Sequence, residues 1–370
     1  NGLLLLKKSK SQLNGKHSPK AEAAMHVIQI APPHLENNDS PSLTLRVCHE
    51  ADSALLKYLA GNDDFCESMD SLLNSLRPSS QRLSFLLAAC EQEGQLRAQE
   101  DETDLGARGF LRVNMPLTGE TTLAYLAPIF VDDYSEEVLD TLLDAAAELM
   151  AQHGRTTITL DVDFAIGGLD DDPRAAAFTG HGFVLGIVEQ ACQLELAKAE
   201  PAQLPAGLRA EYFEGHLLPE HLSDHTDSFL EILSIADLDV PTAEGPIERE
   251  WTEEMLQEAA KHHARSKTVT ANAVLIDEEG IAALSVLLLD PSHPEVAKQE
   301  LTITHRRARG RGWGMLVKQA LWGEAAARYP RLKRVTTYNA LSNERMLAIN
   351  AKLGIEPKFW WTSWTKSLAS

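Results

Sequence analysis

One stretch in the last quarter of the chain is the most informative about its fold: Gln299-Glu-Leu-Thr-Ile-Thr-His-Arg-Arg-Ala-Arg309-Gly-Arg-Gly-Trp-Gly314. Its pattern predicts a strand over 299–304 that runs into a basic, glycine-rich loop, and the loop opens a helix. Glycines let the backbone turn tightly, so that successive N–H groups converge on one point. The start of a helix adds a positive dipole. This combination is typical of a pyrophosphate site, and the alternative is a basic turn with a glycine at its helix start.

The loop differs from the two common nucleotide-binding loops. It lacks the GK[ST] ending of a Walker loop. It also lacks the acidic residue that ends a strand about 20 residues after a dinucleotide-binding glycine loop. We find no Mg²⁺-ligand or adenine-binding signature elsewhere, so a nucleotide-binding protein is not expected.

Outward from this stretch, both halves of the chain show the same order of predicted elements. Each half reads as helices, two strands, a third strand, a long helix, a strand, a short helix and a last strand. The segment 197–207 (AKAEPAQLPAG) has two prolines and no apolar stripe, so it is the best linker. The equal order predicts a diverged tandem repeat of about 170 residues per unit. Two unrelated α/β domains are the alternative.

Composition and charge narrow the function classes. The chain has 370 residues, 44% of them hydrophobic and 24% charged, which fits two soluble globular domains. No apolar run approaches the ~20 residues that span a bilayer. The net charge is −20, and the first 200 residues hold most of the acidic excess. An acidic chain repels nucleic acid and anionic lipid, whereas an amine substrate is compatible with it.

The four cysteines carry no metal-binding or disulfide pattern. Cys48, Cys66, Cys90 and Cys192 form no CxxC pair. We therefore expect free thiols, no metal and a cytoplasmic location. Residues 1–24 are lysine-rich without periodicity, which predicts a disordered lead or a tag.

Two motifs resemble the GNAT superfamily of acyl-CoA N-acyltransferases. Arg309-x-x-Gly312-x-Gly314 matches its Q/R-x-x-G-x-G/A signature, and the segment 335–355 resembles its fifth strand and fourth helix. The whole chain is similar to bacterial two-domain GNAT proteins. The resemblance implies an α/β (α+β) fold of tandem domains, each with a mixed, mostly antiparallel sheet flanked by helices. We expect a degenerate domain over 25–200 and a cofactor-competent domain over 201–370.

The resemblance also implies where acetyl-CoA binds as co-substrate. The loop would hold its pyrophosphate, the strand would splay from its neighbour and pair with pantetheine, and an N–H near Ile303 or Thr304 would polarise the thioester carbonyl. The residues expected to contact the cofactor are Leu301, Thr302, Ile303, Thr304, Arg309, Gly310, Arg311, Gly312, Trp313, Gly314, Asn339, Asn343 and Asn350. Asn343 could instead cap its helix.

Three residues are candidates for catalysis. Glu300, on the cofactor strand, is the first candidate for a general base that deprotonates the attacking amine, and His305 is the second. The family often protonates the leaving thiolate with a tyrosine, but that slot holds Asn350 here. Tyr338 could substitute. Each residue also has a purely structural interpretation. Glu300 could be a solvated carboxylate, His305 a loop histidine without a role and Tyr338 an ordinary strand aromatic.

The first half departs from the pattern at the corresponding loop. Its segment 130–138 (FVDDYSEEV) replaces the basic glycine loop with four carboxylates, which would repel pyrophosphate. We expect this half to be structural or to help form a substrate cleft.

The sequence as a whole predicts an N-acetyltransferase that moves an acetyl group to a primary amine by direct attack. The alternative is a non-catalytic acyl-CoA-binding or assembly protein. We expect acyl-CoA and a small amine as partners, and neither nucleic acid nor a membrane. The sequence leaves open whether the protein forms a homodimer.

Overall fold

The structure is a computed structural model that describes residues 25–33, 40–77, 79–239, 248–263 and 268–368. The predicted lead over 1–24 lies outside the described residues. The first half contains β1 (His26–Gln29), α1 (Leu43–Ala60), α2 (Met69–Leu76), β2 (Arg82–Cys90), β3 (Ala107–Pro116), β4 (Leu123–Phe130), α3 (Glu136–Gln152), β5 (Thr157–Phe164), α4 (Pro173–Gly180) and β6 (Val184–Glu195).

The second half repeats this order. It contains β7 (Arg209–Glu214), α5 (Thr226–Asp239), α6 (Glu253–His263), β8 (Val269–Asp277), β9 (Gly280–Leu289), β10 (Val296–Thr304), α7 (Trp313–Arg328), β11 (Arg334–Ala340), α8 (Glu344–Lys352) and β12 (Glu356–Ser367). Short 3-10 segments precede α5, at Glu220–His225, and follow β10, at Arg306–Ala308. The sequence prediction missed β1.

The described strands form one twelve-stranded sheet in the order β1-β2-β3-β4-β5-β12-β6-β11-β10-β9-β8-β7. The order is a palindrome, because each strand of one half has a counterpart of the other half at the mirrored place. The sixth strand of each half is exchanged: β12 pairs with β5, and β6 pairs with β11. Within this sheet β4–β5 and β10–β11 are parallel, and the other described pairs are antiparallel.

Helices cover both faces of the sheet in each half. In the first half, α1 and α2 bury Leu45 and Leu72 against one face of the sheet, whereas α3 buries Leu139 and Leu142 against the other. Alternation along β2 explains the division, since Leu86 belongs to one core and Leu87 to the other. The second half repeats the pattern with α5 on one face and α7 on the other. The predicted mixed, mostly antiparallel sheet flanked by helices is confirmed.

The exchange matters for the division into domains. The predicted boundary at 200/201 falls between β6 and β7, but β6 lies inside the second half's part of the sheet. Residues of β6 therefore reach the neighbourhood of β10 and β11. The assignment of the domains as degenerate and competent stays a prediction.

Candidate functional site

A slot opens in the sheet where β10 and β11 part. Their parallel pairing runs from Val296↔Arg334 to Gln299↔Thr337, while β10 continues to pair with β9 as far as Thr304. Residues 301–304, which the resemblance implies would splay from the next strand, are the part of β10 that lies beyond this pairing. A cavity of about 220 Å³ fills the gap. Its lining includes the predicted residues Glu300, Leu301, Thr302, Tyr338, Asn339 and Asn343.

A buried glutamine holds the point where the strands part. The β9–β10 register shifts between Gln299 and Leu301, which marks a β-bulge. The Gln299 side chain donates to the carbonyl of Leu301 at 3.0 Å and to that of Val286 at 2.7 Å. Its own carbonyl accepts from the Trp322 indole at 3.0 Å. The bulge is thereby tied to α7 and β9, which fixes the geometry of the slot.

The glycine loop has the backbone that the sequence predicted. Gly310 and Gly312 have φ values of 80° and 76°, in the left-handed region that favours glycine. Gly312 is the N-cap of α7 and provides no side-chain hydrogen bond. The amide of Met315 donates to the Gly312 carbonyl at 3.1 Å, whereas those of Trp313 and Gly314 have no side-chain cap and keep the donor capacity on which anion binding at a helix start depends.

The next glycine brings the helix start close to β10. A Cβ on Gly314 would lie 3.3 Å from the Thr304 hydroxyl and 3.6 Å from the Ile349 side chain. The start of α7 therefore packs directly beside the end of β10 and beside α8. The slot and the uncapped helix start are neighbours.

The arginines of the loop are less free than the sequence suggested. Arg306 and Arg309 both bind Asp239 at the end of α5, and these bonds hold the pKa of that carboxyl below its usual range. Arg307 binds Asp277 at 2.5 Å. Arg311 instead stacks on Trp313, 5.0 Å from the ring centroid, and no described carboxylate pairs with it. Arg311 is therefore the arginine most available to an anion.

Polar side chains of two helices meet at the back of the slot. Lys318 of α7 donates to the Asn350 carbonyl at 2.8 Å, and the Asn350 amide donates to Asn339 on β11. Asn343 caps α8 by accepting from the amide of Met346 at 3.2 Å, so its capping role is realised. Asn350 is buried and held in this network rather than open to the slot.

The three predicted catalytic residues lie in different surroundings. Glu300 lines the slot with 46% of its side chain exposed, and its carboxylate lies 3.0 Å from the Lys298 ammonium. His305 is buried against α5, with its Nε2 3.0 Å from Glu231 and its Nδ1 accepting from the amide of Arg307. His305 thus belongs to the helix-side packing, away from the residues that line the slot.

Tyr338 lies where the slot meets a second cavity. Its ring packs edge-on against Phe65 and Phe359, and burial together with nearby carboxylates raises the pKa of its hydroxyl. The second cavity, of about 800 Å³, lies between the two halves. It shares Tyr338, Lys298 and Glu189 with the slot. These three residues mark the junction.

The large cavity is acidic. Among the described residues, eight carboxylates line it against three lysine or arginine side chains: Asp52, Asp63, Asp64, Glu67, Asp163, Glu189, Asp290 and Glu295 against Arg112, Lys298 and Arg334. Arg112 pairs with Asp52 and Glu67, and Arg334 pairs with Asp64. No described cation forms an ion pair with Asp163 or Glu189, and both residues line the cavity.

Burial disfavours the charged forms of these two carboxylates. Burial, reinforced by the nearby Asp52, raises the pKa of Asp163 to about 7. Burial also raises the pKa of Glu189, although Lys298 opposes the shift. A cation in the cavity would stabilise the charged forms of both carboxylates and so offset the free-energy cost of burying them. The site thus favours a positively charged ligand on the side of the slot opposite α7 and α8.

Sequence reasoning missed Glu189, Asp163 and Lys318. Glu189 interrupts an apolar strand, which is a usable signal, but only the exchange of β6 brings it opposite Ala340 of β11. Lys318 reads in sequence as an ordinary polar position of an amphipathic helix.

The described residues hold no group of three or more potential metal ligands. Among the described helices, none combines the length and apolar composition that crossing a membrane requires.

Several solved structures share this architecture. A tandem GNAT protein from the clavulanic acid biosynthesis pathway superposes with a TM-score of 0.67 at 19% identity, over 94% of this chain and 99% of that one. A GCN5-related N-acetyltransferase from Sphaerobacter thermophilus superposes with a TM-score of 0.60 at 13% identity, and the match covers 93% of this chain and 96% of that one. The glucosamine N-acetyltransferase region of a fungal multi-domain β-N-acetylglucosaminidase superposes with a TM-score of 0.56 at 13% identity. This match covers 94% of this chain and 38% of that one.

These likenesses confirm the predicted tandem GNAT fold. No protein-family model matches the sequence, and no curated protein is similar enough to match it. At identities this low, the shared property is the fold.

Proposed function

We propose that this chain is an acetyl-CoA-dependent N-acetyltransferase that acts on a primary amine and has one competent site, in its second half. The observation that carries the proposal is the continuity of three features. The uncapped helix start at Gly312 adjoins the slot between β10 and β11, and the slot opens at Glu189, Lys298 and Tyr338 into an acidic cavity. An anionic cofactor and a cationic acceptor would meet at that junction.

The residues present fit acetyl-CoA. The first-turn amides of α7 and the Arg311 guanidinium suit its pyrophosphate. The free edge of β10 over 301–304 suits the pantetheine amides, and an N–H near Ile303 or Thr304 suits the thioester carbonyl. Bound acetyl-CoA supplies the acyl group for transfer.

The chain's own residues would prepare the amine. An alkyl ammonium must lose a proton before its nitrogen can attack, so a carboxylate at the junction is needed. Glu300 remains the sequence-based candidate for this base. Glu189 adds a second candidate, because it lines both cavities and its pKa is raised.

The acidic cavity supports a cationic acceptor. Asp163 and Glu189 face it without an ion-pair partner among the described residues, and they come from different strands of the first half. The first half would then contribute acceptor binding rather than phosphate binding. The four cysteines are free, which supports a reducing, cytoplasmic location.

A non-catalytic acyl-CoA-binding protein remains the second candidate. One observation favours it: Asn350 stands where the family often has a tyrosine, and its amide is committed to Lys318 and Asn339.

A thiol-release assay separates the two. Purified protein is mixed with acetyl-CoA and a panel of diamines, polyamines, aminoglycosides, amino acids and lysine peptides. Release of coenzyme A with at least one cationic amine supports the enzyme. Tight acetyl-CoA binding without release over the whole panel supports the binding protein, and no binding contradicts both.

A further inference from the structure

Lys318 is a buried ammonium that the fold does not explain. It lies on α7 with 1% of its surface exposed, between the buried residues Val317 and Leu321 of the same helix. Its Nζ donates to Asn350 at 2.8 Å, and no described carboxylate forms an ion pair with it. Burial of an unpaired ammonium costs free energy, so lysines at such places are uncommon.

The position of this ammonium is specific. Lys318 lines the slot between β10 and β11, together with Thr302 and Asn339. Asn350 accepts one of its three N–H groups, and the Asn350 amide is in turn anchored to Asn339. The chain thus fixes the amine at the back of the slot and leaves N–H groups available to whatever fills it.

The charges around Lys318 leave it able to exchange a proton. Burial lowers its pKa to about 8, and the nearby Cys192 thiol on β6 opposes this effect. The other charged groups that line the slot are Glu189, Lys298 and Glu300. Lys318 is therefore mostly protonated at neutral pH, but it releases a proton far more readily than an exposed lysine does.

We propose that Lys318 is the catalytic acid that protonates the departing thiolate of coenzyme A, with Asn350 as its positioning residue. The inference rests on the proposed function. The acceptor nitrogen bonds to the acetyl carbon, the carbon–sulfur bond breaks, and its electron pair goes to sulfur. The sulfur takes a proton from Lys318 Nζ, and solvent later returns one. The carboxylate at the junction takes the proton that the ammonium loses before attack, and the second proton, lost from the acylated nitrogen, passes to solvent.

The alternatives at the slot are less suited. The Asn350 amide has no proton that it can release near neutral pH. Lys298 is bound to Glu300, and the Tyr338 ring is packed between Phe65 and Phe359. An alkyl thiol has an ordinary pKa of about 8.5, so transfer from Lys318 would be nearly thermoneutral, which suits acid catalysis.

The test needs no acceptor. Coenzyme A carrying a labelled carbon next to sulfur is bound to the full chain, and the thiol is titrated by NMR. An ammonium in contact should lower the pKa of the bound thiol by about 1–3 units relative to free coenzyme A. Lys318→Gln, which keeps a hydrogen-bonding group, should abolish that shift. Lys352→Met, at an exposed lysine of α8, should leave it unchanged.

An unshifted thiol in the parent protein, or the same shift in Lys318→Gln, overturns the inference while coenzyme A binding still supports the proposed function. Failure of the parent to bind coenzyme A refutes the proposed function itself. Should Lys318→Gln fail to fold, labelled lysine in the parent gives the answer. The Lys318 signal must titrate differently with coenzyme A and with its desulfo analogue, and identical titrations overturn the inference.

Discussion

The two long helices α3 and α7 occupy equivalent places in the two halves, but they begin in opposite ways. In α3 the Ser135 hydroxyl accepts from the amide of Val138 at 3.4 Å, and Glu136 and Glu137 lie in the first turn. In α7 the N-cap is Gly312, which contributes no side chain, and the first turn holds no acidic residue. The first helix start has a side-chain cap, whereas the second has none, so the amides of Trp313 and Gly314 keep their donor capacity for a ligand.

The strands before these helices behave alike. The parallel pairing of β4 with β5 ends at Leu126↔Leu160, just as that of β10 with β11 ends at Gln299↔Thr337. Both halves therefore keep the parting of strands, and they differ in the chemistry of the helix start. An N-terminal carboxylate and a capping hydroxyl stabilise a helix, but they use the donors and the dipole that an anion needs. Stability and anion binding are competing uses of the same helix end.

The largest expected effect comes from a side chain at the glycine of the second helix start. Gly312→Val should weaken acetyl-CoA binding by about 100-fold or more, because at least two charge-assisted hydrogen bonds of about 1.5–3 kcal/mol each are lost. No described atom lies within 4 Å of a Cβ at Gly312, but its φ of 76° strains a valine there, so the free energy of unfolding has to be measured beside the affinity. Calorimetric titration measures the affinity.

Gly154→Val is the matched control for this change. Gly154 follows α3, has a φ of 63° and also has no described atom near its Cβ. This variant carries the same backbone strain and should bind acetyl-CoA like the parent. Equal affinities for the parent and Gly312→Val would remove the functional contrast between the two helix starts.

The next prediction concerns which half supplies the base. We expect Glu189→Gln to lower kcat by about 10²–10⁴-fold, with little change in acetyl-CoA affinity, because the carboxylate acts on the amine. Since burial raises the pKa of Glu189, the parent's rate should rise with pH through that pKa, and this limb should vanish in the variant. Glu300→Gln is the matched change on β10. If Glu300→Gln alone removes the limb, the second half supplies the base by itself.

The pH dependence of the free energy of unfolding tests whether the first half buries a carboxylate, Asp163, at the acidic cavity. Its pKa is about 7 in the folded chain against an ordinary 3.8, so folding disfavours its charged form. The resulting destabilisation is absent below about pH 4, grows as the pH rises through 7 and is complete above it. Asp163→Asn should therefore raise the free energy of unfolding at about pH 8 by up to about 4 kcal/mol and leave it unchanged at about pH 4.

Urea unfolding at both pH values measures this difference, and Asp170→Asn, at an exposed carboxylate of the same half, is the control. An equal effect of Asp163→Asn at both pH values would mean that the cavity imposes no charge penalty on this residue.

The smallest expected effects concern the arginines of the second helix start. Arg311→Ala should weaken acetyl-CoA binding by about 1–3 kcal/mol, and high salt should reduce the loss. Arg309→Ala should weaken acetyl-CoA binding less than Arg311→Ala does, because Asp239 already binds that guanidinium. Arg108→Ala, beside the acidic loop of the first half, should have no effect. A larger loss for Arg309→Ala than for Arg311→Ala would show that Arg309 leaves Asp239 when the cofactor binds.

Much of this arrangement could be predicted from the sequence, because local signals determine it. The positive φ at Gly312 and the cap at Asn343 each follow from residues close together in the chain, whereas the parting of β10 from β11 was expected from the resemblance to the GNAT family. The tandem repeat also follows from the order of elements.

The remainder depends on contacts between distant segments. The exchange of β6 and β12 brings Glu189 into the site, and no local pattern encodes an exchange. Asp239, at the end of α5, neutralises two loop arginines that looked free in the sequence. Lys318 becomes a buried group at the slot only when α7 and α8 pack together there.

The stoichiometry of coenzyme A binding tests the central claim most directly. If the second helix start alone accepts the pyrophosphate, calorimetric titration of the full chain should give one coenzyme A per chain, and Gly312→Val should bind it about 100-fold or more weakly. Two equivalent sites per chain would contradict the account, because the start of α3, capped by Ser135 and flanked by Glu136 and Glu137, would then also bind the cofactor.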